Sequence, residues 1–375
     1  MTETALKLHR IKRMVVKEIR QLFRDPKTKR IIFAAPVIQL ILLGYAVNTD
    51  VRNVSMAVVD HDRTVASREF VAAFTGSGYF RVTQTSDRSR DLGTALDEGR
   101  AVVAIEIPAG YQADLAAGRS PSVQFLADGT NSNTATIAQG YAAKIVQELG
   151  IKLASEWVGG LAPPMDVRSR AWFNPALASQ IYNVPAVIGV IVLLMCLLLT
   201  SMSIVREREV GTLEQLLVSP LSPGELILGK TIPVAGIAML QLAIVTTVAL
   251  LWFDVPLRGS ILVLVFGAAL FILAGLSVGL FISTISSTQQ EAFLTMYLFL
   301  LPAIILSGFF YPIETMPPGF RELTVINPLR HFLEIVRSVF LKGSTIGDLW
   351  VQFVTLAGMA IAGLVLATHR FKRTL

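Results

Sequence analysis

Apolar residues in this chain come in long uninterrupted runs, not in the short alternating patterns of a soluble core. Six runs reach the ~17–25 residues that a helix needs to cross the hydrocarbon core of a bilayer: Ile31–Val47, Val184–Val205, Ile232–Phe253, Ile261–Ile285, Ala292–Tyr311 and Leu349–Thr368. The first is the shortest. It follows a long basic region and shows no clear small-x-small cleavage site, so it reads as a retained anchor and not as a signal peptide. Between the first and second runs the pattern changes. In residues 48–181 short extended stretches at Val54–Val59, Arg81–Thr85, Val102–Ile107 and Val123–Leu126 alternate with helical ones at Ala66–Phe74, Arg90–Glu98 and Tyr111–Ala117. A longer helix follows at about Asn133–Val158, with Ile137, Tyr141, Ile145 and Leu149 on one face. It is expected to carry the chain back toward the membrane, with Pro163-Pro164 and Asn174-Pro175 punctuating the return. The expected fold is an α-helical integral membrane protein of six transmembrane helices with an inserted α/β extracytoplasmic domain.

Charge orients this picture. Only 16% of residues are charged and 53% are apolar, against ~25% charged in soluble domains. Residues 1–30 hold ten Lys and Arg against three Asp and Glu, and Arg370, Lys372 and Arg373 follow the last run. Basic residues at membrane ends mark the cytoplasmic side. Six spans then place both termini (1–30 and 369–375) in the cytoplasm and residues 48–181 outside, where twelve basic and fourteen acidic residues give a soluble balance. The external 312–348 loop fits less well, because it carries Arg321, Arg330, Arg337 and Lys342. The net charge of +6 is thus explained by membrane flanks, without nucleic acid. The single cysteine, Cys196, excludes an intramolecular disulfide.

Three amphipathic segments carry candidate mechanism. In Met14–Pro26, Val15, Ile19, Leu22 and Phe23 form an apolar stripe, with Lys17, Arg20 and Arg24 elsewhere on the wheel. Such a helix lies on the cytoplasmic membrane surface, either as a plain topogenic anchor or as an elbow that packs on a neighbour. Between spans two and three, residues 206–230 read REREVGTLEQLLVSPLSPGELILGK. Thr212–Val218 should form a short helix with Leu213, Leu216 and Leu217 on one side. That apolar face must be buried by the bundle itself or by a soluble partner. Within Leu301–Lys342, Leu329, Phe332, Leu333, Val336, Val339 and Phe340 share a helical face, with Arg330, Glu334 and Arg337 opposite and spaced to pair. This reads as a re-entrant or interfacial helix at the outer surface.

The order of these pieces resembles one family. KEIRQLFRDP before span one, the inserted α/β domain, REREVGTLEQLLVSPLSPGELILGK, then SGFFYPIETMPPGF and NPLRHFLEIVRSVFLKG are together similar to ABC-2 type transporter permeases, in the branch of multidrug exporters with a large loop after the first span. The resemblance implies that Glu207, Glu209, Gly211, Thr212, Leu213, Glu214 and Leu217 lie at or near the contact with a separate ABC ATPase subunit. It implies an elbow helix containing Lys17, Glu18, Arg20 and Arg24, and an outer gate around Pro302, Gly308, Glu314, Pro317 and Pro328. It also implies pairing with a second, identical or related permease in a bacterial inner membrane. Where there are two membranes, it implies a periplasmic adaptor meeting the external domain.

Gly224–Thr231, GELILGKT, spells out the phosphate-binding pattern G-x-x-x-x-G-K-[ST]. That loop needs a buried strand before it, whereas Ser222-Pro223 precede this one and Pro233 opens a span. The match is read as fortuitous and Lys230 as an anchor at the membrane surface. No cofactor is expected on this chain, ATP and magnesium belonging to the partner ATPase. The histidines show no metal spacing such as H-E-x-x-H, and Asp60-His61-Asp62 is read as a solvated turn before it is read as a cation site. No catalytic role is expected. No Asp, Glu, Lys or Arg falls at the centre of a span, which argues against an ion-driven carrier. The rival readings are a membrane-anchored sensor whose external domain binds a ligand and a self-contained channel or ion-driven carrier, the latter weakened by the missing intramembrane charge.

Overall fold

The computed structural model describes residues 3–24, 26–47, 53–130, 132–157, 172–174, 178–211 and 222–374. The chain divides into two compact units, Met1–Asn48 with Ala171–Leu375, and Thr49–Arg170.

The first unit is helical. Helix α1 (Glu3–Arg24) and α2 (Pro26–Ala46) enter it, and α7 (Ser179–Glu209), α8 (Pro223–Trp252), α9 (Ile261–Ile285), α10 (Gln289–Ile305), α11 (Pro318–Leu323), α12 (Pro328–Arg337) and α13 (Trp350–Thr374) complete it among the described residues. Four of these helices are long and apolar enough to cross a membrane: Ser179–Glu209, Gly224–Trp252, Ile261–Ile285 and Trp350–Arg370. Ile32–Ala46 and Gln289–Ile305 are shorter apolar helices. A helix that is apolar all round must be covered all round, and α7 is the case in point. Nearly every side chain from Asn183 to Leu197 is buried, and α2, α8, α9, α10 and α12 pack around it.

Helix ends follow local chemistry. Helix α8 starts nine residues before the expected span, because Ser222 and Glu225 form a capping box and Pro223 opens the first turn. The fifth apolar run stops being helical at Ile305, short of the expected Tyr311. Pro302 lies inside its last turn, and Gly308 adopts φ +80°, a left-handed turn that ends the run.

The second unit is a four-stranded sheet in the order β2-β1-β3-β4, built from β1 (Val54–Asp60), β2 (Phe80–Ser86), β3 (Val103–Ile107) and β4 (Gln124–Ala127). Strands β1, β2 and β3 are parallel and β4 is antiparallel to β3. The central strand β1 is buried almost continuously, as a parallel strand covered on both faces must be. Alternate residues serve two cores. Met56 and Val58 pack with Phe70 and Phe74 of α3 (Val65–Gly76), Tyr111 of α5 (Tyr111–Ala116) and Ala138 of α6 (Ser132–Trp157). Ala57 and Val59 pack with Leu92 and Ala95 of α4 (Ser89–Asp97) on the other face.

The Asp60-His61-Asp62 run pins the turn after β1. Asp60 accepts from the backbone N–H groups of Asp62 and Arg63, and Asp62 from those of Gly110 and Gln112, at 2.8–3.0 Å. The Thr64 hydroxyl and the Gln112 and Gly110 amides hold the Asp62 carboxyl below the usual aspartate range. A depressed carboxyl stabilises the fold above its unfolded pKa, and the effect is lost as the pH falls through the lowered value. Hydrogen exchange at the Gly110 and Gln112 amides should therefore stay slow below pH ~4 and accelerate only at more acidic pH. In Asp62→Asn it should be fast already at neutral pH.

Candidate functional site

At one end of the helical unit, charged groups from three helices meet inside the packing. Lys230 of α8 is 3% exposed and Glu207 in the last turns of α7 is 7% exposed. The Lys230 Nζ lies 3.0 Å from Glu207 Oε1, 3.6 Å from Glu18 Oε1 on α1, and donates to the Ser203 carbonyl at 3.0 Å. Lys17, half-exposed on α1, bridges the same two carboxylates at 3.1 and 3.5 Å. Burial pulls the Lys17 ammonium down, but Glu207 and then Glu18 outweigh it, so its pKa ends above the usual lysine value. The quartet carries two positive and two negative groups, which is how buried charge is tolerated.

The backbone makes this meeting possible. A Cβ at Gly229 would lie 2.8 Å from the Met14 Cβ, so α1 and α8 cross where α8 has no side chain. The α1 face turned to α8 is therefore Met14 and Glu18, and Ile19 of the apolar stripe is exposed. Arg20 and Arg24 stay at the surface with Lys17 and Gln21.

Two more residues of the same α7 turn reach other helices. The Arg208 Nη1 donates to the Ser286 carbonyl at the end of α9 at 2.9 Å. Glu209 accepts from the Gln289 backbone N–H at 2.7 Å and from its side-chain amide, closing the first turn of α10. Consecutive residues 207, 208 and 209 thus tie α7 to α1, α8, α9 and α10. Gly211 follows, exposed and with φ +76°. Thr212, Leu213, Glu214 and Leu217 lie outside the described residues.

Lys230 corrects one expectation: it does not reach for the membrane surface but is locked inside. The phosphate-loop pattern around it, Gly224–Thr231, is α-helical throughout. In sequence, the signal for the quartet was an ionisable residue inside an otherwise apolar helix, which normally has a partner facing the bundle.

Near α12 a second polar arrangement forms. Helix α12 is buried on nearly every side, with its Phe332 ring stacked on Phe271 of α9 at 4.2 Å. It is a helix inserted into the bundle, not one lying on its surface. The expected pairing of Glu334 with Arg330 and Arg337 is replaced. Arg330 turns to the Thr324 hydroxyl, and Arg337 donates to the Gly308 carbonyl at 3.1 Å with its guanidinium 3.8 Å above the Tyr182 ring. Partners brought near by the fold win over exposed ion pairs along the helix, which are worth little. Of the gate residues, Pro302 and Pro317 line one apolar hollow of about 480 Å3 with Tyr311 and Phe320. Pro328 opens α12, Gly308 sits against Arg337, and Glu314 is exposed in a separate 3-10 turn.

With this geometry in hand, comparisons with known proteins add the following. A family described as ABC-2 family transporter protein matches residues 30–369. The Escherichia coli protein named "Probable multidrug ABC transporter permease YbhR" is 33% identical over 91% of this chain and 92% of its own length. The one named "Probable multidrug ABC transporter permease YbhS" is 34% identical over the full length of both chains. The E. coli "Inner membrane transport permease YhhJ" is 29% identical over 98% of each.

Proposed function

The chain belongs to the ABC-2 family of transporters, and from that premise we propose that it is the membrane-spanning half of an ATP-driven exporter of drug-like or amphiphilic molecules. As a permease of this family it is a multi-pass inner-membrane protein whose work is transport, with ABC ATPases as partners. In our reading it crosses the membrane six times, α2 and α10 supplying the two spans beyond the four long helices. At 1.5 Å per residue, the apolar part of α2, Ile32–Ala46, reaches about 22 Å and the 17 residues of α10 about 25 Å. Both are short for a ~30 Å hydrocarbon core, a mismatch that local thinning and flanking residues must absorb. Both termini face the cytoplasm, the 49–170 unit lies outside within reach of a periplasmic adaptor, and a second permease completes the path. ATP and magnesium are held by the ATPase.

The observation that carries the coupling assignment is the last turn of α7. It directly precedes residues 212–221 and is bonded through Glu207, Arg208 and Glu209 to four other helices. An ATPase that pushes on 212–221 therefore pushes on a hub. Protein retrieved from its native membrane in mild detergent should bring an ATPase with it. Deleting residues 211–217, or replacing Glu214 with arginine, should remove that activity from the eluate while membrane insertion is kept. Undiminished ATPase in both variants would sink the assignment.

A further inference from the structure

The 49–170 unit contains a cleft that the transport reading does not use. It has a volume of about 970 Å3 and runs between α5, the 117–123 turn, β4 and the long helix α6. Its floor is Phe70, Phe74 and Ile105, each at most 4% exposed, so it descends to the core of the unit. Ala143, Val146 and Leu149 of α6 form one wall, and Val146 is 47% exposed. Pockets that enclose small molecules are concave, ~300–1,000 Å3, mostly apolar, with a few polar groups at one end. Here those groups are Arg119, Ser120 and Ser122, adjacent on the rim.

Charge selects the occupant. Among the described residues that line the cleft, Arg119 is the one ionised at neutral pH and none is a carboxylate. The Arg119 guanidinium is held by Asp114 through Nε and Nη2 at 2.9 and 2.6 Å, which fixes its orientation. A guanidinium has five N–H groups, so donors remain for a second acceptor. We infer that the cleft is a binding site for a single-chain or drug-sized amphiphile, its apolar body over Phe70, Phe74 and Leu149 and its anionic head on Arg119 and the two serines. Binding in this cleft needs no ATPase.

The test uses the full chain in phospholipid nanodiscs. Cys196 is buried, so Gln139→Cys, at an exposed lining position on α6, provides one accessible thiol for a polarity-sensitive fluorophore. Dodecanoate should shift its emission saturably, and dodecyltrimethylammonium, with the same tail, should not. Ala143→Trp, at an exposed position that fills the wall without entering the core, should raise the half-saturating dodecanoate concentration at least about tenfold. Gly150→Leu, also on an exposed lining position, serves as a second filling variant. Arg119→Gln should weaken dodecanoate while leaving dodecanol unchanged. Equal responses to both head groups, or responses untouched by both filling variants, would reduce the effect to partitioning into lipid and overturn the site. An emission change that tracks protein concentration without amphiphile would put a second copy of the chain in the cleft and also overturn it.

Discussion

Lys230→Met should be among the most destabilising single substitutions in the helical unit, costing about 3–5 kcal/mol. Lys230 is 3% exposed and faces Glu207 and Glu18 at 3.0 and 3.6 Å. Removing its ammonium leaves two carboxylates with only the half-exposed Lys17 between them, and an uncompensated buried charge is what makes breaking such a group expensive. Exposed ion pairs, by contrast, contribute about 0–1 kcal/mol. Chemical denaturation in detergent separates these cases. Lys230→Met combined with Glu207→Leu should recover most of the loss, because Lys17 and Glu18 then remain as a neutral pair and the vacated volume is apolar. If the single substitution costs no more than a surface pair, or the double one is worse than the single, the quartet is not a closed unit. Loss of coupled ATPase activity in the double variant despite recovered stability would show that the quartet transmits motion as well as holding α1 in place.

The contrast between what was and was not legible follows from the range of the interactions. The strand and helix pattern of 49–170 is written locally, in alternation and in turn residues, and β1 to β4 lie within a residue or two of the apolar stretches at 54–59, 81–85, 102–107 and 123–126. The long apolar runs were equally plain, but their ends were not. Ser222 with Glu225 extends α8 into what reads as a charged loop, and Gly308 cuts α10 short. The membership of the quartet could not be read, because Lys17 and Glu207 are 190 positions apart; Lys230 inside an apolar helix signals only that some partner exists. Periodicity marks Val15 and Ile19 as the apolar stripe of α1 but does not say which residues meet the bundle; those are Met14 and Glu18, because α8 offers a glycine and a buried lysine there. Arg330 and Arg337 likewise followed tertiary partners in place of the i, i+3 and i+4 neighbours on their own helix.

Gly363→Val should destabilise the bundle measurably, and here the argument is steric. A Cβ at Gly363 of α13 would lie 2.8 Å from the Ser277 Cβ on α9 and closer still to its Oγ. Rotating the hydroxyl does not help, because the two Cβ atoms alone already overlap, and the hydroxyl is held by the Ala274 carbonyl at 2.7 Å. The helices must separate, and overpacking a close seam costs about 1–3 kcal/mol or more. In a membrane, close backbone approach at small residues is itself a main source of helix association, so the separation also forfeits packing along the seam. Gly363→Ala alone should lower the denaturation midpoint, and adding Ser277→Gly should restore it, since the partner then gives up the atoms that clash. A Gly363→Ala protein as stable as wild type would mean the seam can open freely. The outcome bears on transport. If α9 and α13 are locked together at Gly363 while α7 holds α1, α8, α9 and α10 through ion pairs and hydrogen bonds, the compliant joint is the polar one. A push arriving at the end of α7 would then be taken up at Glu207, Arg208 and Glu209, and the α9–α13 pair would move as one body.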